Sequence, residues 1–151
     1  MAPGQSGGPD ADREVVANLH RQRVPASADV LPVLRDELDQ WARSAGLNDR
    51  VIDSLALASY EAMANAVEHA YDGAPGPLDV EAALREEAVE VTITDHGSWQ
   101  TPSKSAAERR RGLPLIHRLA DEAVVTSGED GTRVLMRWDT ARSDRGEPLP
   151  G

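Results

Sequence analysis

The sequence predicts an α+β domain: a two-layer sandwich of one mostly antiparallel sheet with helices packed on one face. Three observations lead there. Two long stretches in the first half carry apolar residues at helical spacing, later stretches alternate apolar and polar residues in hairpin pairs, and the two kinds of segment fall into separate runs. With 40% hydrophobic residues but no Phe and only 3% aromatics, the core has to be built from Leu, Val, Ile and Ala. That composition favours packed layers of secondary structure over an aromatic-centred pocket. A chain of 151 residues is long enough to bury such a core as one domain.

Residues 1–12, rich in Gly, Pro, Ser and Asp, read as a disordered lead, and 141–151 as a disordered tail, leaving 13–140 as the folded domain. Residues 14–24 mix Val, Leu and polar residues and predict a first strand, closed by Pro25. Ser27 or Asp29 is placed to cap a helix to about Ser44, with Val30, Leu31, Leu34, Leu38 and Trp41 on one stripe. Gly46 stops it. Asn48 or Asp49 starts a second helix through about Ala70, whose apolar positions include Ile52, Leu55, Ala56, Met63, Ala66, Val67 and Ala70. A turn-rich loop over 71–77 follows. Residues 78–84 and 89–94 alternate as two strands joined by a turn at 85–88. A long polar loop over 96–110 leads to a short helix at about 113–120, and 123–126 and 132–138 form a second hairpin around 128–131.

The 16 basic and 26 acidic residues leave a net charge of −10, which argues against a general nucleic-acid binder. There is no cysteine, hence no disulfide framework and no thiolate metal site. No apolar run approaches bilayer length and no charged-then-apolar secretory segment opens the chain, so no membrane partner is expected and a cytoplasmic location is. The P-loop, the G-x-G-x-x-G turn, the G-x-S-x-G elbow and H-E-x-x-H are all missing from the sequence.

The residues that carry chemistry lie in four places. On the second helix, Glu61 and Asn65 are four residues apart and share a face, with His69 continuing the line and Glu68 beside it. A carboxylate there can take a proton from a hydroxyl, and an amide oxygen suits magnesium. A lone E-x-x-x-N is otherwise a solvated helix face. Asn, however, is a poor helix former, and here it stands in mid-helix among alanines. His69 either joins the site or caps its polar edge. Asp95-His96-Gly97 ends a strand, where Asp95 can accept from the exocyclic amine of adenine and Gly97 lets the backbone pass close to a base. The loop before the short helix carries Lys104, Arg109, Arg110 and Arg111, and Gly112 opens that helix with Pro114 in its first turn. A basic loop before a helix N-terminus suits phosphate. Thr132, after Gly131 at the start of the last strand, has a hydroxyl that can complete adenine recognition directly or through water.

Glu61…Asn65…His69-Ala70-Tyr71, then Asp95-x-Gly97, then Arg111-Gly112-Leu113-Pro114-Leu115-Ile116, then Gly131-Thr132, resembles in this order the GHKL (Bergerat-type) ATP-binding fold. Within it the match is to the small anti-sigma-factor serine kinases of bacterial partner-switching systems, of the actinobacterial kind, over about residues 15–138. The resemblance implies ATP and Mg2+ as cofactors. It implies that Glu61 is the general base, that Asn65 binds magnesium, and that Asp95 bonds the adenine amine beside Gly97 with Thr132 in support. Arg111, Gly112 and Leu113 would lie at the phosphates, and His69 near the nucleotide. The implied partners are a sigma factor, an anti-sigma-factor antagonist phosphorylated on serine, and a second copy of the chain. Two departures are visible: the phosphate loop keeps one glycine where many relatives have G-x-G, and Ser98-Trp99-Gln100 replaces a glycine-rich continuation after D-x-G. A non-catalytic adaptor on the same fold is the competing reading. An ATP-binding domain serving a phosphorelay is a third, for which the chain shows no phosphoacceptor-histidine segment.

Overall fold

The computed structural model describes residues 17–70, 76–97, 114–128 and 130–140, the side chains at 69 and 70 excepted. The expected lead at 1–12, the tail at 141–151 and most of the 96–110 loop lie outside the described residues. The elements run β1 (Leu19–Ala26), α1 (Leu31–Ser44), α2 (Asp49–Asn65) with a π-helical continuation (Ala66–Ala70), β2 (Gly76–Arg85), β3 (Ala88–Asp95), α3 (114–119), β4 (Glu122–Gly128) and β5 (Gly131–Asp139). The sheet has the order β1-β2-β3-β5-β4, and every neighbouring pair is antiparallel. The expected α+β class and mostly antiparallel sheet are what the chain forms.

Strand alternation sorts the sheet's two faces. Val80 on β2, Ile93 on β3, Val134 on β5 and Val125 on β4 are in register, and so are Ala82, Val91, Met136 and Ala123. These rows join Leu34, Leu38, Ile52, Leu55, Met63 and Ile116 in one hydrophobic cluster. The intervening row, Glu81, Thr92, Leu135 and Val124, turns away from the helices. Val124 is 54% exposed, so its β-branched side chain serves strand propensity more than burial.

α1 buries Leu31, Leu34, Leu38, Trp41 and Ala42 as the periodicity predicts. Its cap differs from expectation. Val30 is the N-cap and makes no side-chain cap, while the Ser27 carbonyl accepts the N–H groups of Val30 and Leu31 at 2.9 and 3.2 Å. A backbone turn thus does the work foreseen for the Ser27 or Asp29 side chain, helped by Pro32 in the first turn, which has no N–H to satisfy. At the other end Gly46 (φ 82) closes the helix, its N–H reaching Arg43 O and that of Leu47 reaching Ala42 O, a Schellman arrangement. Of the two candidates for the second cap, the structure uses Asn48, whose Oδ1 accepts from Val51 N at 3.0 Å.

β1 departs further. It starts at Leu19 and runs through Pro25, which pairs with Pro77, instead of stopping there. β1 is an edge strand, where a proline's missing N–H can face away from the sheet without breaking a ladder bond. The two indole N–H groups that fall in described segments act as pins. Trp41 Nε1 donates to Ala17 O and Trp138 Nε1 to Leu119 O, each at 2.8 Å, fastening α1 to the approach to β1 and β5 to the end of α3. No helix among the described residues is long and apolar enough to cross a membrane.

Leu55 is completely buried between the helices and the sheet. Leu55→Ala is expected to lower unfolding free energy by about 2–5 kcal/mol in denaturant titrations. Val124→Thr on the open face should change it by less than about 0.5 kcal/mol.

Candidate functional site

Asp95 is the last residue of β3, and alternation from Val91 and Ile93 turns its side chain to the helix-covered face. It is 3% exposed. A buried carboxylate needs donors, and two backbone groups supply them. Gly97 N–H and Thr132 N–H both donate to Asp95 Oδ1 at 3.2 Å, one from the turn that follows and one from the facing strand. The β3–β5 register places Thr132 opposite Asp95, and the β4–β5 register places Ser127 opposite Thr132. Thr132 is itself buried, and its Oγ1 lies 3.2 Å from Ser127 Oγ. Asp95, Gly97 and Thr132, read separately from the sequence, therefore belong to one hydrogen-bonded unit at one end of the sheet.

Two residues in this unit were not among the sequence's site candidates. Ser127 was hidden because nothing in a strand-ending serine shows which strand it will face. Gly131 was visible only as the residue before Thr132 in the motif, with no role of its own. Its φ is 140°, and a Cβ there would overlap the Asp95 carbonyl oxygen and lie 2.8 Å from its carbonyl carbon. Only glycine lets β5 come this close to the end of β3.

α2 packs on β3 and β5 with Ser59, Ala62 and Met63 buried. Glu61 and Asn65 lie one turn apart and are both partly exposed, on the flank beside that buried stripe. Asn65 Nδ2 is buried without a hydrogen-bond partner among the described residues, an arrangement that a native amide leaves unfilled only for a reason. Since amide N and O exchange by a half-turn of the side chain, this residue can present either a donor or a hard oxygen to whatever approaches. Regular α-helix ends at Asn65; the expected helical run to Ala70 is completed as a π-turn, with the Ala66 N–H shared between Ala62 O and Met63 O. Such a turn widens the helix where the polar residues leave it, a feature frequent at functional sites.

The remaining candidates are not placed. Arg111, Gly112 and Leu113 lie outside the described residues, as do Lys104, Arg109 and Arg110. His69 contributes its backbone to the π-turn, and its side chain lies outside them too. Among the described residues no group of three or more His, Cys, Asp or Glu could hold a metal ion.

On the opposite face, His96 Nε2 lies 2.8 Å from Asp79 Oδ2, and Asp79 Oδ1 accepts the Arg23 N–H at 2.7 Å. Burial pushes the Asp79 carboxyl up, but the Arg23 N–H and the His96 contact together outweigh it and hold the group below its usual 3.8.

The structure is thus a two-layer α+β sandwich, its five-stranded sheet covered by helices on one face and carrying a buried acceptor at the end of β3. The chain belongs to the histidine kinase-like ATPase domain family, which it matches over residues 24–138. It is similar to two proteins named Serine-protein kinase RsbW. That of Oceanobacillus iheyensis is 28% identical over 130 residues, covering 76% of this chain and 82% of the relative. That of Bacillus velezensis is 29% identical over 144 residues, covering 84% and 90%. Among solved structures, the RsbU and RsbW domains of Rv1364c from Mycobacterium tuberculosis superpose with a TM-score of 0.66 at 26% identity. The match covers 82% of this chain and 32% of that longer one. The family inferred from the motifs is the family found.

Gly131→Ala is expected to destabilise the fold by about 2 kcal/mol or more, read as a lowered denaturant midpoint, because the strained φ and the overlap act together. The Asp79 carboxyl titrates lower when folded than when unfolded, so its contribution is complete above about pH 3.8 and is lost as pH falls through the folded value. The stability difference between wild type and Asp79→Asn should shrink in acid unfolding below that point.

Proposed function

We propose that this chain is an ATP- and magnesium-dependent protein serine kinase that acts as an anti-sigma factor. In this reading it phosphorylates an anti-sigma-factor antagonist on serine, and it sequesters a sigma factor when the antagonist is not competing. The observation that carries the nucleotide half is Asp95, a buried carboxylate at the end of a central strand whose Oδ1 is oriented by two backbone N–H groups. The kinase half is supported by the relatives named as serine-protein kinases and by Glu61 and Asn65 one turn apart on α2.

The roles follow from chemistry. Asp95 accepts from the exocyclic amine of adenine, Gly97 keeps the backbone close to the base, and Thr132 fixes the carboxylate through its N–H. The Asn65 amide oxygen suits magnesium, being a hard ligand. Magnesium, when bound, neutralises charge on the phosphates. Glu61 takes the proton of the substrate serine hydroxyl, while Arg111, Gly112 and Leu113 are assigned to the phosphates and His69 to the nucleotide by the motifs they belong to. Phosphoryl transfer asks mainly for positioning and charge neutralisation, which these groups supply. The domain spans 13–140, works in the cytoplasm as a homodimer, and has neither a nucleic-acid nor a membrane partner. The single glycine of the 111–114 loop favours one second reading, an adaptor that regulates by protein binding alone.

The test is phosphate transfer from labelled ATP to the antagonist, alongside calorimetric titration of ATP. Glu61→Ala should cut transfer by about two to four orders of magnitude while ATP still binds. Asn65→Ala should weaken magnesium-dependent ATP binding. A wild-type chain that binds both protein partners yet never transfers phosphate selects the adaptor.

A further inference from the structure

The turn at Asp95–Gly97 is held from both faces of the sheet. Asp95 is anchored on the helix side, and His96, its neighbour, turns to the open side, where Asp79 Oδ2 meets its Nε2 at 2.8 Å. Asp79 stands on β2 opposite Thr94, next to Leu78, which faces Asp95. The other Asp79 oxygen accepts the Arg23 N–H. Arg23 sits in the irregularity of β1 between Arg21 and Val24, and with φ 50 it is the one non-glycine of positive φ among the described residues. That backbone is strained for an L-residue and persists only where its surroundings hold it. Asp79 thus spends one oxygen on a strained bulge in an edge strand and the other on the middle residue of the nucleotide turn. Side chains at 79 and 96 are 30% and 32% exposed, so the contact lies near the surface and acts through its 2.8 Å geometry on the turn.

We propose that Asp79 is a positioning residue for base recognition: it holds His96, His96 sets the orientation of the Asp95–Gly97 turn, and the bulge at Arg23 is tied to the same carboxylate. The inference rests on the nucleotide reading above. Neither Asp79 nor His96 lies on the face that Asp95 presents, so neither touches the base. Two adjacent residues pinned on opposite faces cannot rotate together about the strand axis. Releasing His96 lets the turn roll, moving the Gly97 N–H and the carboxylate it orients. The loss should fall on the base and spare the phosphates.

The experiment is calorimetric titration of the full chain with ATP, GTP and tripolyphosphate, each with magnesium. It uses wild type, Asp79→Ala, His96→Ala, the double variant and Asp79→Asn. Each alanine variant should weaken ATP binding by about three- to tenfold, and the double variant should be no worse than the weaker single one. The ratio of ATP to GTP affinity should fall by the same factor, with tripolyphosphate binding unchanged. Asp79→Asn keeps an oxygen for the Arg23 N–H and an amide for His96, and should recover part of the loss. Additive losses, equal losses for ATP and tripolyphosphate, or unchanged ATP affinity would overturn the inference while the nucleotide reading stands. A wild-type chain that binds no ATP overturns that reading itself, and the inference falls with it. Should Asp79→Ala fail to fold, the ATP-to-GTP ratio of His96→Ala decides alone.

Discussion

A carboxylate that is almost wholly buried has to be provided with donors, and the site end of this protein is arranged around meeting that demand for Asp95. The donors are backbone groups of Gly97 and Thr132, so the requirement is met by chain path and not by another charged side chain. Backbone donors are available there only if β5 lies in one register against β3 and approaches closely, which the absence of a side chain at Gly131 permits. A one-residue slip would turn Asp95 and Thr132 to the open face and break the unit. The apolar rows behind it, Ile93 with Val134 and Val91 with Met136, lock that register because the same slip would expose them.

The helix layer answers a different constraint. α2 has to bury Ile52, Leu55 and Met63 against the sheet while leaving Glu61 and Asn65 on its flank. An α-helix achieves this with a stripe of small and medium apolar residues, and Ala58, Ala62 and Ala66 keep the helix close to the strands. The change to a π-turn directly after Asn65 keeps Ala66 and Val67 in the core while altering the helix geometry beside the polar residues.

Much of this was legible beforehand, for identifiable reasons. Helical stripes and strand alternation report directly which residues are buried, so α1, α2 and the β2–β3 hairpin were found within a few residues of their ends. Gly46 and Asn48 were readable because helix termini obey local rules. The cap of α1 was missed because a backbone turn replaced the side chain that local rules favour. The extension of β1 through Pro25 was missed because a proline's tolerance depends on whether its strand lies at an edge, and no local pattern states that.

Local sequence determined the element types and the apolar faces, which follow from periodicity, while Glu61, Asn65, Asp95, Gly97 and Thr132 stood out as candidates through their order along the chain, each being weak alone. Only the tertiary structure decided that Thr132 and Ser127 stand in register with Asp95, that Gly131 must lack a side chain, and that Asp79 joins His96 to the Arg23 bulge. Those relations join residues as far apart as Arg23 and Asp79, or Asp95 and Thr132. They depend on strand order and register, which arise when separate amphipathic elements bury their faces together and which no single stretch of chain encodes.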